Sequence, residues 1–122
     1  MGTGSYKDLV VWQKAMQLAQ RCYKLTESFP KSEVYGMTSQ IRRAAVSIPC
    51  NIAEGWGREG AKEFLQFLRV AQGSTKELET LLLLADRLYP DQASDIAGML
   101  ATLAEISRML RALMATLKTK PR

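Results

Sequence analysis

Gln40, Arg43, Ser47, Asn51 and Glu54 recur at steps of three, four, four and three. On a helix that spacing sets two amides, a guanidinium, a hydroxyl and a carboxylate along one line. Either this polar line hydrogen-bonds neighbouring helices and the backbone carbonyls freed by Pro49, or it borders a ligand. Buried polar groups need partners, so the first is the ordinary case. Catalytic patterns fail on their chemistry. Ser28-Phe-Pro-Lys31 has Ser-x-x-Lys spacing, but Pro30 interrupts the helix on which the lysine would have to approach the serine, and the companion motifs of that chemistry are missing. Glu59 and Glu63 form an i,i+4 carboxylate pair, yet a di-iron bundle also requires two Glu-x-x-His motifs and the chain contains no histidine. That absence removes the commonest general base and metal ligand together. Gly55-Trp-Gly57 lacks the preceding strand of a phosphate-binding fingerprint, and its glycines are expected to end a helix. The chain is therefore expected to be no enzyme, with no cofactor and no metal.

Basic residues carry a second pattern. Lys7, Lys14 and Arg21 are seven apart, as are Lys62, Arg69 and Lys76, giving one cationic stripe on each of two helices. Arg42 and Arg43 add an adjacent pair, and Arg108, Arg111, Lys118, Lys120 and Arg122 follow the last acid, Glu105. With 17 Lys+Arg against 12 Asp+Glu the net charge is +5, which favours polyanions. Phosphates of RNA or DNA are one partner for such stripes; solvation of an ordinary bundle surface is the other reading. The candidate nucleic-acid-binding residues are Arg42, Arg43, Lys62, Arg69 and Lys76.

The elements that position these residues follow from punctuation and period. Proline and glycine at 29–32, 55–60 and 89–91 divide the 122 residues into four segments, expected as helices over about 6–28, 33–54, 60–89 and 91–118 of a single domain, 1–122. Ser5 and Asp8 have capping-box spacing at the first. In the third, Phe64, Leu68, Ala71, Thr75, Leu78, Leu82, Ala85 and Tyr89 alternate steps of four and three without a break. The fourth repeats the period with Ile96, Leu100, Leu103, Ser107, Leu110, Met114 and Leu117. The second keeps an apolar line, Val34, Met37, Ile41, Ala45, Ile48 and Ile52, across Pro49, where a kink is expected. Short connections make successive helices antiparallel, so the fold class is all-α: an up-down-up-down four-helix bundle.

The apolar residues exceed what one such core absorbs. The first helix carries two apolar lines, Trp12, Met16, Ala19 and Tyr23 beside Ala15, Leu18, Cys22 and Leu25; the third adds Leu65 and Leu83 on one flank and Val70, Leu81 and Leu88 on the other. These flanks are expected to meet a second copy of the chain, as a homo-oligomer. Cys22 and Cys50, both among apolar neighbours, are expected to be reduced and buried. With no signal-like start and no apolar run long enough to span a bilayer, the expected location is the cytoplasm, without a membrane partner.

Four runs carry a family resemblance: Tyr6-Lys-Asp-Leu-Val-Val-Trp12-Gln-Lys-Ala, Tyr35-Gly-Met-Thr-Ser-Gln-Ile-Arg-Arg-Ala-Ala-Val-Ser-Ile-Pro49-Cys-Asn-Ile-Ala-Glu-Gly55, Glu63-Phe-Leu-Gln-Phe-Leu, and Gly73-Ser-Thr-Lys-Glu-Leu-Glu-Thr80. The chain resembles the bacterial four-helix bundle proteins, also called 23S ribosomal RNA intervening-sequence proteins, over about Tyr6 to Tyr89. Cys50 stands where that family commonly has serine, and Met37 where leucine is usual. The resemblance implies a cytosolic homopentameric ring, related to the accessory variability protein of diversity-generating retroelements, a basic pentamer that binds nucleic acid and a reverse transcriptase. It bears directly on Arg42, Arg43, Asn51 and Glu54; the Lys62, Arg69 and Lys76 stripe comes from spacing alone. A scaffold that presents its surface to a protein partner, with no nucleic acid bound, is the alternative function.

Overall fold

The computed structural model describes residues 4–119. Four helices, α1 (Val10–Glu27), α2 (Met37–Gly57), α3 (Ala61–Leu88) and α4 (Ala93–Lys118), are preceded or joined by 3-10 turns at Tyr6–Asp8, Lys31–Glu33 and Pro90–Gln92. Among the described residues there is no strand, and no helix is long and apolar enough to cross a membrane. The expected helical segments are all present, with three boundaries moved. Ser5 and Asp8 do close a capping box, but on the 3-10 turn, and extended Leu9 delays α1 to Val10. The second helix starts at Met37 rather than 33, because the residues after Pro30 form a 3-10 turn; Val34, expected on its core line, is consequently 51% exposed. Its other end extends through Gly57, so Gly55 lies inside the helix instead of ending it.

Each helix packs on its two neighbours in the order α1, α2, α3, α4 and back to α1. Contacts join opposite ends: Gly55 meets Phe64, Ser47 meets Ser74 and Glu33 meets Tyr89, while Lys14 meets Glu105 and Arg21 meets Thr102. Residue numbers that rise on one helix as they fall on its neighbour mean that α2 and α3, and likewise α1 and α4, run in opposite directions. Helix α2 is continuous through Pro49, whose ring is buried.

The core is the α3 seam and what surrounds it. Phe64, Leu68, Ala71, Thr75, Leu78, Leu82 and Ala85 are buried, facing Ala15, Leu18 and Cys22 of α1 and Ile41, Ala45, Ile48 and Ile52 of α2 in one apolar cluster. On α4 the buried line runs through Ile96, Met99, Leu103, Ile106 and Leu110, with Leu100 only partly buried. The expected seam through Leu100 and Ser107 is thus rotated by one residue in part. Apolar residues at both 99 and 100 make the two registers nearly equal in sequence, and packing chooses between them. Ser107 is buried as well, held by the Gln72 side chain of α3, which accepts from its hydroxyl at 3.0 Å and donates to its carbonyl at 3.1 Å. Buried hydroxyls and amides satisfied in this way set helix register, because a slip of one turn would strand them.

One end of the bundle is closed by Glu33. Its carboxylate accepts the Met37 N–H at 3.1 Å, capping α2, and the Tyr89 hydroxyl at 2.6 Å. These two donors hold the Glu33 carboxyl below its usual range, and the carboxylate in turn raises the Tyr89 phenol. Tyr89 also packs on Phe29 with ring centroids 4.9 Å apart, so the α1–α2 and α3–α4 connections are tied together.

Candidate nucleic-acid interface

Of the two heptad-spaced cationic stripes, only one faces solvent as a set. Lys14 reaches Glu105 of α4 at 3.3 Å, and Arg21 donates to the Thr102 hydroxyl at 3.3 Å. Both residues bridge α1 to α4, and Lys14 is paired with an acid while Arg21 stays exposed; Lys7 lies in the 3-10 turn, its ammonium 6.0 Å from the Tyr6 ring centroid. Lys62, Arg69 and Lys76 are exposed on the outer face of α3, roughly 10 Å apart along the helix at 1.5 Å per residue. Lys76 lies 3.9 Å from Glu79 with both side chains largely exposed, an ion pair too loose and too wet to neutralise it. Continuing the same column one heptad further gives Leu83, 48% exposed, so the cationic face ends in an apolar one.

The Arg42-Arg43 pair separates. The Arg42 Nε donates to the Thr26 hydroxyl at 2.8 Å, its Nη2 donates to the Tyr23 carbonyl at 3.3 Å, and the guanidinium lies 4.5 Å from the Tyr23 ring centroid. It joins α2 to α1 through two of its five N–H donors and the Tyr23 ring, which is a structural role. Arg43, one residue and about 100° further round the helix, is exposed.

The polar line divides in the same manner. Ser47 meets the Ser74 hydroxyl of α3 at 2.7 Å, and the Asn51 amide donates back to the Ser47 carbonyl at 2.8 Å and hydroxyl at 3.0 Å. Its centre therefore hydrogen-bonds a neighbouring helix, while Glu54 bonds Arg58 one turn away at 3.1 Å. Gln40 and Arg43 remain exposed at the other end. Ser28 and Lys31 do not meet: the serine hydroxyl donates to the Leu25 carbonyl at 2.7 Å. Among the described residues no cluster of His, Cys, Asp or Glu could hold a metal ion. Lys120 and Arg122 of the basic tail lie outside the described residues.

A groove between α1 and α2 has no counterpart in the candidate residues. It has a volume of about 700 Å³ and is lined by Tyr6, Trp12, Met16, Tyr23, Val46, Pro49, Cys50 and Ala53, among others. Its signal was present in the sequence as the Trp12, Met16, Ala19 and Tyr23 line of α1, of which Met16 and Tyr23 are 41% and 43% exposed. Cys50 is exposed here, contrary to expectation, because Val46, Cys50 and Ala53 form a line of α2 that faces the groove instead of the core. Cys22 is fully buried, and burial pushes its thiol up to about 12.

The model of the 23S rRNA-intervening sequence protein family matches residues 7–112. The chain belongs to that family. The match extends past the expected Tyr89 limit into α4, so the family pattern spans all four helices. A solved structure from Bacteroides thetaiotaomicron, described as a protein of unknown function from the S23 ribosomal protein family, is 25% identical. It superimposes with a TM-score of 0.76, covering 86% of this chain and 98% of that one. No curated protein matches the chain.

Proposed function

We propose that this intervening-sequence family member is a non-enzymatic, cytoplasmic homo-oligomer that binds nucleic acid through phosphate contacts without base specificity. The observation that carries the reading is the exposed Lys62, Arg69 and Lys76 column on α3, joined by exposed Arg43 on α2. Flexible cations spaced along a rigid helix suit a repeating anion and carry no base information. Oligomerisation draws on the apolar surface that α3 leaves outside the core: Val70, Leu83, Leu84 and Leu88 are 44–53% exposed. The family resemblance supports a pentamer as that oligomer; five copies of +5 would sum to about +25, with fields that add along any bound polyanion.

The test is the salt dependence of binding to labelled RNA and DNA. Log affinity is expected to fall linearly with log salt, and the triple change Lys62→Gln, Arg69→Gln, Lys76→Gln to reduce that slope by about 2 on single strands and about 3 on duplex. No binding at low ionic strength removes the reading. Solution mass with and without oligonucleotide reports assembly in the same experiment. The groove favours a second reading, an oligomeric scaffold for a protein partner; under it the triple variant changes nothing.

A further inference from the structure

The connection between α1 and α2 presents Tyr35 in an uncommon way. Its side chain is 95% exposed, the highest value among the exposed large apolar side chains of the described residues. The chain around it is nevertheless anchored. Glu33 and Val34 donate to the carbonyls of Pro30 and Lys31 at 2.9 and 3.1 Å, and Gly36 donates to the carbonyl of Glu33 at 2.9 Å. The Glu33 carboxylate holds the Met37 N–H and the Tyr89 hydroxyl, and Tyr89 rests on buried Phe29. A tyrosine has only two side-chain torsions, so on a braced backbone little freedom remains to be lost when a flat partner covers the ring.

The surroundings indicate which flat partner. Gln40 and Arg43, three residues apart in the first two turns of α2, present an exposed amide and guanidinium on one side of the helix, within roughly 10 Å of its start at 1.5 Å per residue. Lys31, also exposed, lies four residues before Tyr35. An exposed aromatic ring at an end of the bundle that also presents two cations and an amide offers stacking, phosphate pairing and a base-edge hydrogen bond together, which an unpaired nucleotide uses and a flat apolar protein surface does not.

We propose that Tyr35 is a stacking platform for an unpaired base of single-stranded RNA or DNA, with Lys31 and Arg43 on the flanking phosphates. This rests on the nucleic-acid reading above and adds to it a preference for single strands. The experiment measures anisotropy of labelled oligouridine, oligothymidine and a DNA duplex of equal length with the full chain, Tyr35→Ala and Tyr35→Phe. Tyr35→Ala is expected to weaken single-strand binding about tenfold with an unchanged salt slope, Tyr35→Phe to stay within about twofold of wild type, and duplex binding to be unaffected. Circular dichroism and solution mass should match among the three proteins, since the side chain touches no core. Equal single-strand binding by wild type and Tyr35→Ala overturns the proposal, as does a change of solution mass in Tyr35→Ala, which would make the tyrosine an interface between copies. Failure of the wild type to bind any oligonucleotide overturns the nucleic-acid reading itself, and is distinguishable from both.

Discussion

Helix α2 meets α3 on one side and α1 on the other, and closes fully on only one of them. Toward α3 it presents small groups. A methyl added at Gly55 would lie 2.7 Å from the Phe67 Cβ and 2.8 Å from the Phe64 Cδ1, and two serine hydroxyls touch at the middle of the interface. Toward α1, Val46, Pro49 and Cys50 confront Trp12, Met16 and Tyr23 across a groove of about 700 Å³. Helix separation is set by the side chains at the crossing. Small groups let α2 and α3 interdigitate; bulk on both sides holds α1 and α2 apart along this line, and Arg42 ties them together at its edge.

The two cysteines give the largest expected contrast between buried core and open groove. In the native protein Cys50 should react with a thiol reagent at once, whereas Cys22, buried and with its thiolate suppressed, should wait for unfolding and react on the order of a thousandfold or more slowly. Equal native labelling would mean that the core opens as readily as the groove. Next, Gly55→Ala should cost about 2 kcal/mol by overpacking, net of the helix propensity it gains, as read by chemical denaturation. The neighbouring Gly57→Ala meets nothing within 4 Å and should be neutral or slightly stabilising. If both behave alike, the close α2–α3 approach is not what Gly55 provides.

The Arg42-Arg43 pair sharpens the other side. Arg42→Gln should lose about 1 kcal/mol through the Thr26 hydrogen bond and the Tyr23 ring, and Arg43→Gln less than about 0.5 kcal/mol. The smallest effect belongs to Glu33. Its carboxyl is lowered in the folded state, so its contribution is present above the ordinary carboxylate range and lost as the pH falls through the lowered value. Thermal unfolding followed from neutral to acid pH should show a decline that Glu33→Gln flattens; an unchanged profile would remove the Tyr89 hydrogen bond as a stabilising contact.

How much of this was legible varied with the pattern. The α3 seam was unbroken, and its first seven residues are all buried. The seam of α4 was legible as a helix but not in register, because apolar residues stand at 99 and 100 alike. For the candidate site, spacing placed Lys62, Arg69 and Lys76 on one face of α3. It treated Lys7, Lys14 and Arg21 as the same kind of stripe, although Glu105 and Thr102, far away in sequence, engage two of them. Arg42 was equally misleading: adjacent side chains diverge on a helix, and what one of them meets depends on which residues α1 brings to that level.

From the sequence alone came the period of each helix, the surplus of apolar side chains and the excess of positive charge, since these depend on residue type and local spacing. Only the tertiary structure decided which apolar line of α1 became core and which became groove, which cations were used up between helices, and that Tyr35 stands in solvent on a braced connection. The physical reason is that burial and ion pairing are properties of pairs of helices. Periodicity specifies the faces of one helix and not the face it meets.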